Sequence, residues 1–285
     1  MERFFNIAGM TVRISGSDDE MFETAGILTP FEVEASKCDW DISYQIVDAL
    51  TPPSGSPFFQ DPGKCVYKDG DVYISYIGSV GRTLKGAYIR AERKGNQSSV
   101  EVRRSALVDR INSKVALTAM EAEHMVVCGG GFLLHSSFVE YQGSAILFTA
   151  LSGTGKSTQA ELWRKYRNAE IINGDRSVVR KGEYGFEAVG VPFSGSSGIS
   201  KSRRLPLRAI VYLDQASEST IVRVSSLKAF RLIWEGCTLH TWNAEDVARC
   251  SQTVMDAVTQ IPVYYLACTP DESAVIALEQ VLESR

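Results

Sequence analysis

The sequence lacks the cysteine patterns that hold metal ions or disulfide frameworks. Its six cysteines lie at wide spacings, with no Cys-x-x-Cys pair and no Cys/His cluster at metal-ligand spacing. We therefore expect reduced, mostly buried thiols. The sequence also lacks an apolar run of the roughly 20 residues that cross a bilayer, and its N-terminus lacks a secretory signal. We expect a cytoplasmic protein with no membrane partner.

A basic excess is also missing. The chain carries 30 basic and 34 acidic residues, for a formal net charge of -4. This balance argues against a protein that coats nucleic acid, so no nucleic-acid partner is expected. With 285 residues, 44% hydrophobic and 22% charged, the composition is that of a soluble globular enzyme.

The pattern of the chain changes along its length and predicts two domains. Residues 1–105 read as short strands separated by turns, which predicts a β-rich, mostly antiparallel module without a catalytic motif. Its KDGD segment, at 68–71, is typical of a two-residue hairpin turn. Residues 106–129 have helical spacing and predict a connector, in which His124 is expected to be a packing or surface residue. Residues 130–285 then form the catalytic domain.

Two hairpins are predicted around a glycine-rich turn in this second domain. GFLLHSSFVEY and SAILFTAL flank the first turn, QG, and EIINGDRSVVRK and FEAVGVPF flank the second, GEYG. A doubly wound sheet would instead alternate strands with helices. Three further strands are expected within LRAIVYLDQ, STIVRVSS and PVYYLAC, and helices near 225–236, 244–260 and 271–284. The fold class is therefore α/β (α+β) with a mixed sheet.

Residues 150–157, ALSGTGKS, nearly match the phosphate-loop pattern G-x-x-x-x-G-K-[ST]. Only the first glycine differs, being Ala150. A strand-like run precedes the turn and a helix-like segment follows it, so unpaired N–H groups would face an anion at a helix N-terminus. These residues predict a nucleotide-binding turn formed by Ser152, Gly153, Thr154, Gly155, Lys156, Ser157 and Thr158.

Phosphoryl transfer also needs a magnesium ligand and often a carboxylate base. Two acids follow apolar runs: Asp175 in IINGDRS and Asp214 in IVYLDQ. Asp175 is favoured because it follows the first helix directly and has Arg176 beside it, which can hold an anionic group. Asp214 is interpreted as a solvated turn carboxylate, and turn chemistry remains the alternative for Asp175 as well.

LSGTGKST, the strand residue His135 and the acidic turn after the helix together resemble the catalytic domain of HPr kinase/phosphorylase and related peptide-tailoring kinases. The resemblance covers about residues 130–270. It implies a phosphoenolpyruvate-carboxykinase-like P-loop fold that binds ATP or a polyphosphate donor. It also implies a histidine near the site and an acidic pair after the helix. Here Gly174 stands at the first acid and Asp175 at the second.

The predicted site follows from the motif and this resemblance. Lys156, Asp175 and His135 are the catalytic candidates, and Ser157 and Asp175 would hold Mg²⁺. Without the family, His135 is equally well explained as a half-buried strand histidine. Because Gly174 supplies no carboxylate, either Asp175 or His135 can be the base.

The segment 190–208, GVPFSGSSGISKSRRLPLR, combines small residues with basic ones and predicts a mobile loop that contacts the substrate. An ordinary solvated connection is the alternative. The candidate substrate-binding residues are Arg176, Ser196, Lys201, Arg203 and Arg204.

These expectations converge on an ATP- and Mg-dependent kinase. The acceptor would be a hydroxyl of a peptide, a protein or a small molecule, and homo-oligomers are expected because related kinases commonly self-associate. Two alternatives stay open. One is a nucleotide-binding regulatory protein without phosphotransfer, and the other is a carboxykinase or phosphorylase-type enzyme.

Overall fold

The computed structural model describes residues 2–16, 26–79, 84–105 and 120–284. The chain divides into two compact units, Met1–Met125 and Val126–Arg285. Most of the predicted connector, residues 106–119, lies outside the described residues. Across the described ranges, no helix has the length and apolar character needed to span a membrane.

The N-terminal unit is an eight-stranded mixed sheet with a short 3-10 helix at Gly26–Phe31. Its strands are β1 (Glu2–Ile7), β2 (Met10–Gly16), β3 (Trp40–Val47), β4 (Phe59–Gln60), β5 (Lys64–Asp69), β6 (Val72–Ser79), β7 (Gly86–Lys94) and β8 (Gln97–Arg103). They lie in the order β1-β2-β3-β8-β7-β6-β5-β4.

The β-rich prediction for this unit is confirmed, and its sheet is mixed. β3 runs parallel to both β2 and β8, whereas the other neighbours are antiparallel. Parallel neighbours need a long crossover connection, which the sequence supplies between β2 and β3. The predicted KDGD hairpin is confirmed, because Asp69 pairs with Val72 and leaves Gly70 and Asp71 as the turn.

The C-terminal unit combines nine strands with helices. Its strands are β9 (Gly131–Tyr141), β10 (Ser144–Thr149), β11 (Glu170–Asn173), β12 (Arg176–Lys181), β13 (Phe186–Gly190), β14 (Arg204–Gln215), β15 (Thr220–Arg223), β16 (Cys237–Thr238) and β17 (Val263–Cys268). The helices of the described chain are α1 (Ala122–Cys128), where the two units meet in sequence, α2 (Lys156–Arg167), α3 (Ser226–Gly236), α4 (Ala244–Gln260) and α5 (Glu272–Glu283), with a 3-10 turn at Gly195–Ser197.

Two pairing patterns bring the ends of these strands together. β10 lies parallel to β14, which lies parallel to β17, so their carboxyl ends share one edge of the sheet. β9 pairs with β10 through its second half and with β12 through its first half. β13 joins β12 to β14, which closes the circuit β10-β9-β12-β13-β14.

Alternating residues of β10 place hydrophobic cores on both faces of the sheet. Ala145 and Leu147 pack into one cluster, which includes residues of α3 and α4. Ile146 and Phe148 pack into the other, which includes residues of α2 and α5. Successive strand side chains point to opposite faces, so the helices cover the sheet on both sides. The predicted mixed α+β architecture is confirmed at this level.

The second predicted hairpin differs from the expectation in one respect. EIINGDRSVVRK is two strands, β11 and β12, separated at Gly174 and Asp175. Both pair with β9, and β11 pairs with β9 across a register shift. The break turns Asp175 out of the strand ladder, where its carboxylate can reach neighbouring side chains.

Candidate functional site

The glycine-rich turn, residues 150–155, joins β10 to α2. Gly155 is the residue before the helix and has φ 116°, and Gly153 has φ 81°. Both angles lie in the left-handed region that glycine adopts without a steric penalty. Ala150, which stands where the motif has its first glycine, is not among the residues with positive φ, so its methyl group is tolerated. The turn therefore has the strand-turn-helix form that the motif predicts.

Lys156 is the first residue of α2 and is held against the turn. Its side chain is buried, and its Nζ donates to the carbonyl oxygens of Ala150 at 3.1 Å and Leu151 at 3.2 Å. Burial lowers the pKa of Lys156, and the negative charge of Asp175 acts in the opposite direction. Among the described residues, the direct contacts of the ammonium are to these two neutral carbonyl groups, so an anion entering the turn would meet a positive charge that has no ionic contact with them.

Asn173 holds the acidic turn in place. This residue is fully buried at the end of β11, and its Oδ1 accepts hydrogen bonds from the backbone N–H groups of Asp175 and Arg176, both at 2.9 Å. Its Nδ2 donates to the Val191 carbonyl at 2.7 Å. Sequence reasoning treated this asparagine only as part of the turn. Its spacing of two residues before Asp175, typical of an Asx turn, was the available signal.

His135 and Asp175 lie side by side across the ladder between β9 and β12. His135 Nδ1 lies 3.0 Å from the Asp175 carbonyl oxygen and 3.6 Å from Oδ1 of its carboxylate. Because a carbonyl oxygen can only accept, Nδ1 carries the proton in this contact and Nε2 has a free lone pair. Burial lowers the pKa of His135, and the Lys156 charge lowers it further. The ring is therefore neutral at pH 7.

Gly174, where the resemblance predicts the first acid, lies close to the Ser197 side chain. A Cβ atom placed on Gly174 would lie 2.1 Å from the Ser197 hydroxyl oxygen and 2.7 Å from the Ser197 Cβ. That hydroxyl donates to the Ser194 carbonyl at 2.7 Å, which fixes it in this position. The turn at 195–197 thus occupies the space that a carboxylate side chain at position 174 would need.

Asp214, the other acid considered, is held by local contacts. Its Oδ1 accepts from the Gln215 N–H at 2.9 Å, and its Oδ2 accepts from the Tyr265 hydroxyl. The side chain is exposed at the end of β14. This environment agrees with the turn carboxylate that the sequence favours for Asp214.

A first cavity of about 260 Å³ lies on the His135 side of the glycine-rich turn. It is lined by His135, Thr149, Ala150, Leu151, Ser152, Arg176, Tyr212, Glu235, Gly236, Cys237 and Thr238. Gly236 permits this wall, since a Cβ there would lie 2.9 Å from the Thr149 hydroxyl oxygen. Sequence reasoning missed two lining residues that come from distant segments. Tyr212 lies opposite Thr149 where β14 pairs with β10, and Glu235 comes from α3.

A second cavity, of about 380 Å³, lies on the α2 side of the turn. Its walls come from the turn and helix start and from the ends of β14 and β17: Gly153, Thr154, Gly155, Thr158, Gln159, Gln215, Ala216, Cys268, Thr269 and Pro270. The two cavities flank the same turn, and the first contains the candidate proton acceptor.

The predicted substrate-binding residues have different surroundings. Arg176 lines the first cavity, with its Nε 3.4 Å from Asp175 Oδ2. The Ser196 side chain lies outside the described part of the chain. The remaining three bases form ion pairs: Lys201 with Glu170 at 2.5 Å, Arg203 with Glu140 at 2.7 Å and Arg204 with Glu187 at 2.5 Å.

The chain is similar to a solved protein structure and to a protein-family model. A solved HPr(Ser) kinase/phosphatase from Coxiella burnetii is similar with a TM-score of 0.31 and 10% sequence identity, over 53% of this chain and 88% of that chain. No curated protein matches the sequence. The family model described as "SynChlorMet cassette protein ScmC" matches residues 105–283. This match spans more than half of the chain, which therefore belongs to the ScmC family of SynChlorMet cassette proteins.

Proposed function

We propose that the chain is an ATP- and Mg²⁺-dependent kinase that transfers the γ-phosphoryl group to a hydroxyl acceptor. One observation carries the proposal: His135 and residues 150–152 of the glycine-rich turn line one cavity, while Asp175 lies beside His135 and Lys156 is hydrogen-bonded to the turn. A strand-turn-helix with a lysine at the helix start suits the phosphates. A carboxylate and a neutral histidine next to it suit the transfer step.

The donor side of the reaction rests on the turn. The N–H groups of Ser152, Gly153 and residues 155–157 would bind phosphate oxygens, whereas the Thr154 N–H donates to the Leu151 carbonyl at 3.3 Å. Lys156 would exchange its carbonyl partners for phosphate oxygens. Oxygen ligands suit magnesium, and the Ser157 hydroxyl and Asp175 carboxylate are the oxygen donors expected for it. When bound, magnesium would neutralise the charge on the transferring phosphoryl group.

The acceptor side rests on the first cavity. A hydroxyl entering it would come close to His135, whose Nε2 lone pair can take the proton. The bond between the acceptor oxygen and the γ-phosphorus then forms, the bond to the bridging oxygen breaks, and ADP leaves. Arg176 and Glu235 add opposite charges to the cavity walls, so an acceptor with both charged and polar groups suits this site.

Candidate acceptors can be chosen from the description of the family. The family is described as a cassette protein, so the peptides and proteins encoded in the same cassette are the first candidates to test.

The missing acid at Gly174 favours a second candidate function, a nucleotide-binding protein without phosphotransfer. A single carboxylate can bind the metal without serving as base. An assay of ADP formation with each cassette product, or with water alone, separates the two functions.

Two matched substitutions sharpen this assay. Asp175→Asn is expected to lower ADP formation by roughly 100-fold or more, since it removes a carboxylate at the reacting phosphate. Asp214→Asn changes the other strand-end acid and is expected to leave the rate unchanged. ADP formation at the wild-type rate in Asp175→Asn would contradict the role given to Asp175. Nucleotide binding by the wild-type chain without any turnover would contradict the kinase assignment and favour the passive protein.

A further inference from the structure

The second cavity lies where parallel strands create a ligand crevice. The glycine-rich turn follows β10, Gln215 and Ala216 end or follow β14, and Thr269 and Pro270 follow β17. Ligands of open α/β sheets bind outside the carboxyl ends of such strands. Its volume of about 380 Å³ lies within the usual range for a small-molecule pocket.

Gln159 gives this cavity an unpaired polar group. It lies one turn into α2, is only 2% exposed and lines the cavity. Its Nε2 donates to Cys268 Sγ at 3.3 Å, whereas its Oε1 is buried without a hydrogen-bond partner among the described residues. A buried acceptor that is left unpaired is costly, so this oxygen favours a ligand that can donate to it.

Cys268 sets the orientation of the carboxamide. Burial raises the pKa of its thiol, which therefore stays uncharged at neutral pH. The sulfur holds the amide nitrogen and leaves the oxygen as the group available to a ligand. The last torsion of a glutamine side chain is broad, so a small rotation can bring Oε1 to the cavity surface.

We infer that the second cavity is a nucleobase site in which Gln159 accepts a hydrogen bond from the exocyclic amino group of adenine. Glutamine carboxamides complement the adenine edge, which offers an amino donor beside a ring-nitrogen acceptor. Ala216 and Pro270 provide apolar surface for the ring faces. The inference rests on the proposed function, because it assumes that the phosphates occupy the adjoining turn.

Three ligands test this site on the wild-type chain by calorimetric titration in Mg²⁺. They are ATP, ITP, which carries an oxygen in place of the amino group, and inorganic tripolyphosphate, which has no base. One recovered hydrogen bond predicts that ATP binds about fivefold tighter than ITP. Equal affinity for ATP and ITP, with tripolyphosphate bound, would overturn the nucleobase inference and leave the proposed function intact. Failure to bind any of the three would instead remove the proposed function.

Two matched substitutions test whether Gln159 causes the preference for ATP over ITP. Gln159→Met keeps the length of the side chain but removes its acceptor, so the preference for ATP over ITP should disappear while tripolyphosphate affinity is unchanged. Gln252→Met, at an exposed position of α4 outside both cavities, should retain the preference. If Gln159→Met binds tripolyphosphate normally and still prefers ATP, the role of Gln159 is wrong. The wild-type comparison decides the inference even if Gln159→Met does not fold.

Discussion

The buried charged groups of the two units have different kinds of partner. In the N-terminal unit, Glu121 is bound by Arg93 at 2.7 Å and by the Ser75 hydroxyl at 2.7 Å, and Glu101 lies 3.4 Å from Arg90. These carboxylates are nearly inaccessible to solvent, and each contacts an opposite charge. Buried charges compensated in this way fix the packing of a sheet and leave little for a ligand to gain.

Around the glycine-rich turn the compensation is incomplete. Lys156 contacts backbone carbonyls, and the pKa of His135 is lowered by burial. The side-chain oxygen of Gln159 has no hydrogen-bond partner in the part of the chain that the structure describes. Each of these groups would gain an interaction from a bound nucleotide or acceptor. Unpaired buried nitrogens also occur in the N-terminal unit, at Arg90 Nε and Arg93 Nη2 among the described residues. The two units therefore differ in their ionic contacts: the buried carboxylates contact an opposite charge, whereas Lys156 contacts carbonyl oxygens.

The largest effect is expected from breaking the compensated cluster. Glu121→Gln leaves Arg93 buried without its counter-charge and should destabilise the N-terminal unit by about 3–5 kcal/mol. Chemical denaturation measures the change. Glu92→Gln, which removes a more exposed partner of Arg90, is the control and should cost less. Equal small losses for both would show that the Glu121 cluster does not hold the sheet.

Lys156→Ala should weaken phosphate binding without lowering stability, whereas Glu121→Gln should lower stability. Loss of a charged contact to phosphate should weaken tripolyphosphate binding by roughly 100-fold, which corresponds to about 3 kcal/mol. Thermal stability should be unchanged or higher, because a buried charge is removed. Lys165→Ala, on the exposed end of the same helix, should bind normally. A Lys156→Ala variant with wild-type affinity would show that the turn does not bind phosphate.

Gly174→Ala tests why the first acid is missing. The new Cβ would overlap Ser197, so the unfolding free energy should fall by about 1–3 kcal/mol. Ser197→Gly in the same chain should recover most of this loss. Gly63→Ala, whose Cβ would have its nearest neighbour at 3.6 Å, is the control and should have a smaller effect. Thermal unfolding of the three variants and the wild-type chain decides the matter, and a Gly174→Ala protein with wild-type stability would refute the steric explanation.

His135 predicts a smaller, pH-dependent effect. Its pKa in the folded chain lies below the ordinary value of about 6.5, so the neutral ring persists to lower pH than usual. The rate of ADP formation should fall as pH drops through the lowered pKa, and His135→Asn should remove this acid limb of the pH-rate profile.

The unfolded chain binds the proton of His135 more tightly than the folded chain does, so the stability that His135 contributes also falls below about pH 6.5. An acid limb that persists in His135→Asn would assign it to another group, and His124→Asn is the control.

Local patterns predicted the parts of the fold that depend on neighbouring residues. The Gln142-Gly143 turn joins β9 and β10 as expected, and the glycine-rich turn separates β10 from a helix. These features follow from backbone preferences within a few residues. The same logic treated the strand around Gly174 as continuous, because nothing local shows that Ser197 packs there.

The walls of the two cavities could not be predicted, since they join distant segments. Glu235 reaches the first cavity through the packing of α3, and Gln159 meets Cys268 only because β17 lies beside β14. The ion pair of Lys201 with Glu170 is also a long-range contact. The sequence analysis placed Lys201 in a substrate-contacting loop because of its charge and its small neighbours. Its role in substrate binding stays a prediction.

The central claim is that the glycine-rich turn and Asp175 together bind a magnesium-triphosphate. Its most direct test is a calorimetric titration of the wild-type chain with ATP, run once with Mg²⁺ and once with a chelator. The account predicts saturable binding that becomes tighter when Mg²⁺ is present. The absence of binding in both titrations, or the same affinity with and without Mg²⁺, would contradict it.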